Sequence, residues 1–209
     1  MSAWGQETIL FDNLTPDLVL QAIEAQGYRC TGRLQPLNSM ENRVYQVELD
    51  LGEGTEISSK YERDRIIKFY RPGRWTKEQI LEEHQFLKDL QDAEIPVVPP
   101  ETLDNGSTLN QLATTQLWYC IFPRVGGRVP DEFSKAQLQF LGRLLARLHI
   151  CGEQRQAKHR IIIDHSSYGE AHLKYLIDQK TIPLDISRNY QQTVEQICAI
   201  ASPWFKEAQ

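Results

Sequence analysis

The chain contains no apolar stretch near the roughly 20 residues needed to cross a bilayer, and the first ten residues hold acidic Glu7 without an apolar core. Both absences exclude a membrane span or a secretory leader in these residues, and a cytoplasmic, soluble protein without membrane partners is the expectation. Cysteine is sparse as well. Cys30, Cys120, Cys151 and Cys198 form no C-x-x-C pair and have no zinc-like spacing with histidine, so reduced thiols are expected rather than a disulfide framework or a structural metal site. Repeats and low-complexity tracts are missing. The formal net charge of -5 argues against a general nucleic-acid binder. One basic run, Lys60 through Lys77, stands out locally, either as a solvated strand pair and loop or as an edge that attracts phosphate.

What is present is enough for a packed core. Of 209 residues, 41% are apolar and 24% charged, values fitting one large domain or two small lobes. Thr15-Pro16-Asp17 predicts a capped helix start and Gly27 its stop. Two strands are predicted next, about Gly32 to Leu37 and Arg43 to Leu49, joined by a polar turn at Asn38 to Asn42. Gly52 to Asp64 reads as a charged, mobile hairpin loop, and Arg65 to Tyr70 as a third strand. Thr76 to Leu90 reads as an amphipathic helix with Ile80, Glu83, Leu87 and Leu90 on one face. Asp104-Asn105-Gly106 has the composition of a hairpin turn, and Leu117 to Phe122 of an apolar strand. Beyond Gly126-Gly127 the composition turns helical. Ser134 to Gln137 fits a capping box, Leu138 to Leu148 a long helix, and Tyr168 to Asp178 and Tyr190 to Phe205 further helices. A lobe boundary is placed here, giving 1–126 and 127–209.

The chemistry begins with Lys68 and Glu83. A carboxylate on a core-facing helical stripe is costly unless paired, and Lys68 is the nearest upstream strand cation that could meet Glu83. Glu82 is the competing acid but falls off the apolar face. A strand lysine held by a helix glutamate can point at the α- and β-phosphates of ATP; the bland alternative is a solvated ammonium. The Asn38 to Asn42 turn holds no glycine, yet its backbone N–H groups and the Ser39 hydroxyl could receive phosphate oxygens, unless it is an ordinary polar turn. Phe122-Pro123 ends an apolar strand where backbone could meet an adenine edge, or where proline simply ends the ladder.

In that order, Leu37-Asn38-Ser39 with Glu41-Asn42-Arg43-Val44-Tyr45, Phe69-Tyr70-Arg71-Pro72, Ile80-Leu81-Glu82-Glu83-His84-Gln85-Phe86 and Phe122-Pro123 with Val125-Gly126-Gly127-Arg128 closely resemble the stress response kinase A family. That family lies in the aminoglycoside phosphotransferase and choline kinase branch of protein-kinase-like folds. The likeness covers most of residues 10–150 and weakens from Cys151 onward. It implies an α+β fold, with an antiparallel sheet of about five strands and one helix equivalent to the kinase αC, followed by a partial, mainly helical lobe. It also implies an ATP- and magnesium-dependent serine/threonine protein kinase of bacterial stress survival. Ser39 becomes the phosphate-loop residue, Lys68 the ATP lysine, Glu83 its partner and the Phe122 region the hinge.

The family's catalytic loop, resembling H-G-D-x-H-x-G-N, and its later metal aspartate have no match. None of His84, His149, His159, His165 and His172 is followed by Gly-Asp. Ile161-Ile162-Ile163-Asp164 resembles a strand ending in a metal aspartate but is expected to be a decoy, and Asp164-His165 is too commonplace a pair to define a metal site. No catalytic or metal-ligating residue is therefore assigned, truncation ahead of the catalytic loop is the simplest expectation, and the chain alone is expected to be inactive. Two other readings stay open: transfer to a small-molecule acceptor such as an aminoglycoside, choline or homoserine, and a non-catalytic, kinase-derived binding module.

Overall fold

A computed structural model of the chain describes residues 11 and 13–207. Helix α1 (Pro16–Glu24) starts as its sequence dictates. The Thr15 side chain accepts from the Leu18 N–H, and Pro16 occupies a position where a backbone donor is not needed. Strands β1 (Cys30–Leu37), β2 (Arg43–Leu49), β3 (Asp64–Phe69), β4 (Asn110–Gln111) and β5 (Trp118–Pro123) form one antiparallel sheet in the order β1-β2-β3-β5-β4. The fold is α+β, as expected. The 52–63 segment carries a short 3-10 turn at Lys60–Arg63.

Side-chain alternation gives the sheet two apolar faces. One buries Val47, Ile67, Phe69, Tyr119 and Ile121 with Val19, Ala22 and Ile23 of α1. The other carries Tyr70 and Cys120 against Ile80 of helix α2 (Lys77–Asp92), with Phe122 and Leu81 packed alongside. Lys68 stands opposite Cys120, and Ile66 opposite Phe122, so all four project from the α2 side. The strand that contributes the lysine is thus central, covered on both faces, and its backbone has little room to move.

Helix α2 is fixed at both ends. Thr76 and Gln79 form a reciprocal capping box. At the other end the Ile95 N–H reaches back to the Leu90 carbonyl at 2.9 Å while Glu94 adopts a left-handed φ of 54°, the usual helix-ending geometry. Arg147 of helix α3 (Lys135–Glu153) donates to the Ala93 carbonyl at 2.7 Å. Phe86 and Leu90 pack with Leu148 and Cys151. Because α3 is stitched to α2 in this way, the compact units are Met1–His159 and Arg160–Gln209. The division falls 33 residues beyond the break in composition at 126–127, since packing rather than composition decides it.

The Asn105-Gly106 turn differs from its expected role. It closes locally, with Leu103 N–H donating to Ser107 O at 2.7 Å, and joins no two strands. The hairpin that leads into β5 is instead the Leu112 to Leu117 connection from β4, with Gln116 at φ 59°.

In the second unit, Ile161 to Ile163 form no strand and are exposed. Asp164 and Ser167 cap each other reciprocally, the Asp164 carboxylate accepting from the Ser167 N–H at 2.7 Å. A single π-helical turn, Ser166–Glu170, follows and runs into helix α4 (Ala171–Asp178). Helix α5 (Leu184–Glu207) approaches so closely that a Cβ on Gly169 would lie 2.3 Å from Cys198 Sγ.

Glu94 holds a backbone conformation that costs an L-residue roughly 1 kcal/mol and a glycine almost nothing. Glu94→Gly is expected to raise stability by about that amount in urea unfolding; an unchanged or lowered midpoint would contradict the account of the helix end.

Candidate nucleotide site

Lys68 and Glu83 meet. The Lys68 ammonium lies 3.5 Å from the Glu83 carboxylate, with the side chains 20% and 33% exposed. Partial burial matters, because a fully exposed pair would be weak and screened, whereas a sealed one would be unreachable by a ligand. Glu82, the competing acid, points elsewhere and accepts from the Lys158 N–H at 2.6 Å and the His159 N–H at 2.9 Å. The two adjacent carboxylates are thereby separated in role: one closes a chain segment onto α2, and the other meets the strand cation.

The turn that contains Ser39 joins β1 to β2. Its register sets Val44 opposite Lys68 and Arg43 opposite Phe69, which brings the turn to the end of β3 just beyond the lysine. Ser39 Oγ is exposed and accepts from the Asn42 N–H at 3.3 Å. The turn is braced from outside as well. Asn42 Oδ1 accepts from the Arg71 N–H at 3.2 Å, and Glu41 pairs with Arg74 at 3.2 Å. Side chains thus brace a turn that holds no glycine.

Phe122 is half-buried among Tyr70, Ile80 and Cys120. The Ile121 carbonyl accepts from the Glu101 N–H at 2.8 Å, outside the β3–β5 ladder. By antiparallel alternation, the Phe122 backbone groups then turn toward β3. The Phe122 ring lies on the same side of the sheet as Lys68, and the next outward carbonyl along the strand is that of Pro123. Just past it, Arg124 pairs with buried Asp64 at 2.6 Å while Gln46 donates to the same carboxylate at 3.1 Å. These bonds fix where the chain leaves the sheet.

A histidine that sequence reasoning passed over sits beneath the pair. His84 is 3% exposed. One ring nitrogen shares a 2.7 Å hydrogen bond with the Tyr70 hydroxyl and the other a 2.7 Å bond with Thr108 Oγ1. Tyr70 Oη also lies 3.4 Å from Cys120 Sγ, and the Lys68 ammonium sits 4.3 Å from the Tyr70 ring centroid. Burial drives the His84 pKa down to about 4, and nearby Lys68 pushes the same way against the pull of Glu83. Burial likewise pushes the Cys120 thiol up to about 12. Both groups are neutral at pH 7, so the floor under Lys68 adds no competing charge. The signal was present: His84 is one helical turn from Ile80, on the buried stripe.

Among the described residues, no group of three or more His, Cys, Asp or Glu side chains could hold a metal ion, and no helix is long and apolar enough to cross a membrane. Asp164 serves as a cap, and its carboxyl is held below the usual range chiefly by the Ser167 N–H.

The phosphotransferase enzyme family matches residues 33–204. Stress response kinase A of Escherichia coli K12 is 35% identical over 195 residues, 93% of this chain and 56% of that protein. Serine/threonine protein kinase RdoA of Salmonella typhimurium is 40% identical over 158 residues, 76% of this chain and 44% of that protein. The chain thus spans about half the length of the curated relatives it matches. Among solved structures, amicoumacin kinase hAmiN in complex with AMP-PNP, Ca2+ and Ami superposes with a TM-score of 0.66 at 18% identity, covering 92% of this chain and 55% of that one. A microcompartment-associated aminopropanol kinase gives a TM-score of 0.52 at 22% identity over 71% of this chain and 44% of its own. These last two show the shared protein-kinase-like fold.

His84 makes stability depend on pH. An unfolded histidine takes its proton near pH 6.5, the folded one only near 4, so between those values the unfolded state binds more protons. Stability is therefore complete above about pH 6.5 and falls as pH drops toward 4, by up to about 3 kcal/mol. Urea midpoints measured across that window should show this slope in the wild type and a flatter one in His84→Gln; equal slopes would show that His84 is not held neutral.

Proposed function

We propose that this chain, which belongs to the phosphotransferase enzyme family, forms the nucleotide-binding part of an ATP-dependent serine/threonine protein kinase of bacterial stress response. One observation carries the reading: the Lys68–Glu83 ion pair, half-shielded between a central strand and the helix that covers it. Glu83 holds the ammonium over the sheet, and the ammonium binds oxygens of the α- and β-phosphates. Ser39 and the N–H groups of its turn receive further phosphate oxygens. The Phe122 ring supplies an apolar wall for the base.

ATP fits the groups present: a fixed cation, a hydroxyl on a braced turn and an apolar strand end. When bound, ATP supplies the phosphoryl group, and magnesium neutralises charge on its phosphates. The base and the magnesium ligands that transfer needs are not assigned to any residue here, so these 209 residues alone are expected to bind ATP weakly and transfer no phosphate. A protein acceptor is favoured over a small alcohol by the names and the 35–40% identity of the relatives. The cytoplasm is the compartment that holds ATP, and the reading places the protein there.

Thermal unfolding of the chain with ATP and magnesium tests this. A ligand that binds only the folded state raises the midpoint. ATP should raise it by a few degrees at saturating concentration, and Lys68→Ala should abolish the rise, its own ligand-free midpoint being lower because Glu83 loses its partner. An equal rise in Lys68→Ala would defeat the assignment.

A further inference from the structure

We propose that Tyr70 is a positioning residue for Lys68, and that His84 and Thr108 hold Tyr70 in place for that purpose. The proposal deepens the nucleotide reading and rests on it for its functional meaning. Strand alternation sends Lys68 and Tyr70 to the same side of the sheet, and the ammonium lies 4.3 Å from the ring centroid. Glu83 alone fixes one direction of approach, at 3.5 Å. The ring fixes a second, because its electron-rich face attracts the cation wherever water is thinned. Two constraints from different elements leave the long lysine stem far fewer rotamers than either constraint alone.

A ring can hold a cation only if the ring itself is held. Tyr70 is 3% exposed, and its hydroxyl is tied to His84 at 2.7 Å on α2 and approaches Cys120 at 3.4 Å on β5. The far nitrogen of His84 is tied to Thr108 at 2.7 Å in the segment before β4. The line Thr108–His84–Tyr70 thus runs from a half-exposed hydroxyl through a neutral imidazole to the underside of the lysine. The charged groups facing it are Lys68 from β3 and Glu83 from α2. Helix α2 therefore reaches Lys68 twice, through Glu83 directly and through His84 by way of the tyrosine. A displacement of α2 would release both contacts together, which makes lysine placement sensitive to the seating of this one helix.

Dimethylation of lysines with 13C-labelled methyl groups keeps their charge and makes the Lys68 environment visible by NMR, with the signal assigned through Lys68→Arg. In the wild-type chain the Lys68 methyl signal should lie upfield of the exposed lysines, because of the tyrosine ring current. Tyr70→Leu should move it to the position of the exposed lysines and weaken ATP binding about five-fold, the worth of one shielded cation–ring contact. Thr108→Val, which alters only the half-exposed end of the line, should reduce the upfield displacement by half or more; it judges the proposal even where Tyr70→Leu fails to fold. A tyrosine that merely packs near Lys68 would leave ATP binding unchanged in Tyr70→Leu and the Lys68 signal unchanged in Thr108→Val, which keeps the ring. An unshifted wild-type signal, or one that Thr108→Val does not move, would overturn the proposal. If the signal moves as expected but Lys68→Ala binds ATP as well as wild type, the nucleotide reading falls while the positioning of Lys68 stands.

Discussion

An ammonium and a carboxylate that are each partly withdrawn from water, Lys68 and Glu83, set the terms for the rest of the first unit. Neither charge is comfortable alone in that position. Their meeting requires a central strand in the right register, a helix lying across it, and a fixed rotation of that helix. The remainder of the unit can be understood as supplying those three things. Helix α1 covers the opposite face of the sheet, so β3 cannot shift. The Thr76–Gln79 box and the Leu90–Ile95 closure fix the ends of α2, and Ile80 and Leu90 fix which side of it faces inward.

Much of this could be read from the chain. The strand with Lys68, the helix with Glu83 and the Ser134–Gln137 capping box of α3 depend on patterns spanning only a few residues, and local steric rules decide them. The choice of Glu83 over Glu82 followed from helical spacing, since only Glu83 shares a face with Ile80 and Leu87. What Glu82 does was illegible, because its partners, the Lys158 and His159 N–H groups, lie 76 and 77 residues away. The grouping of α3 with the sheet was hidden for the same reason: Leu148 and Cys151 find Phe86 and Leu90 only in three dimensions. Asn105-Gly106 misled in a different way. Its tight turn is real, but whether a turn joins two strands of a sheet depends on how far the flanking chain can pair, and β4 is only two residues long.

His84 is the instructive omission. A histidine between a glutamate and a glutamine suggests a wet helix face, yet its position one turn after Ile80 places it inward. Periodicity carries that information and residue type conceals it. Once buried, it must satisfy both ring nitrogens, and its two partners come from β3's end and from the segment before β4. The polar line that results is neutral and buried at its Tyr70 and His84 members, the kind of network that specifies one arrangement of packed elements over others of similar apolar content.

The bracing of the β1–β2 turn by Asn42 and Glu41 has a consequence for kinetics. A glycine-rich flap samples many shapes and must be ordered each time a ligand arrives, at a cost in entropy. A turn already tied to the segment after β3 has given up that freedom during folding, so it would meet a ligand in a ready shape. A turn fixed in this way would select among ligands by fit rather than by wrapping, and exchange at it would be governed by departure more than by arrival.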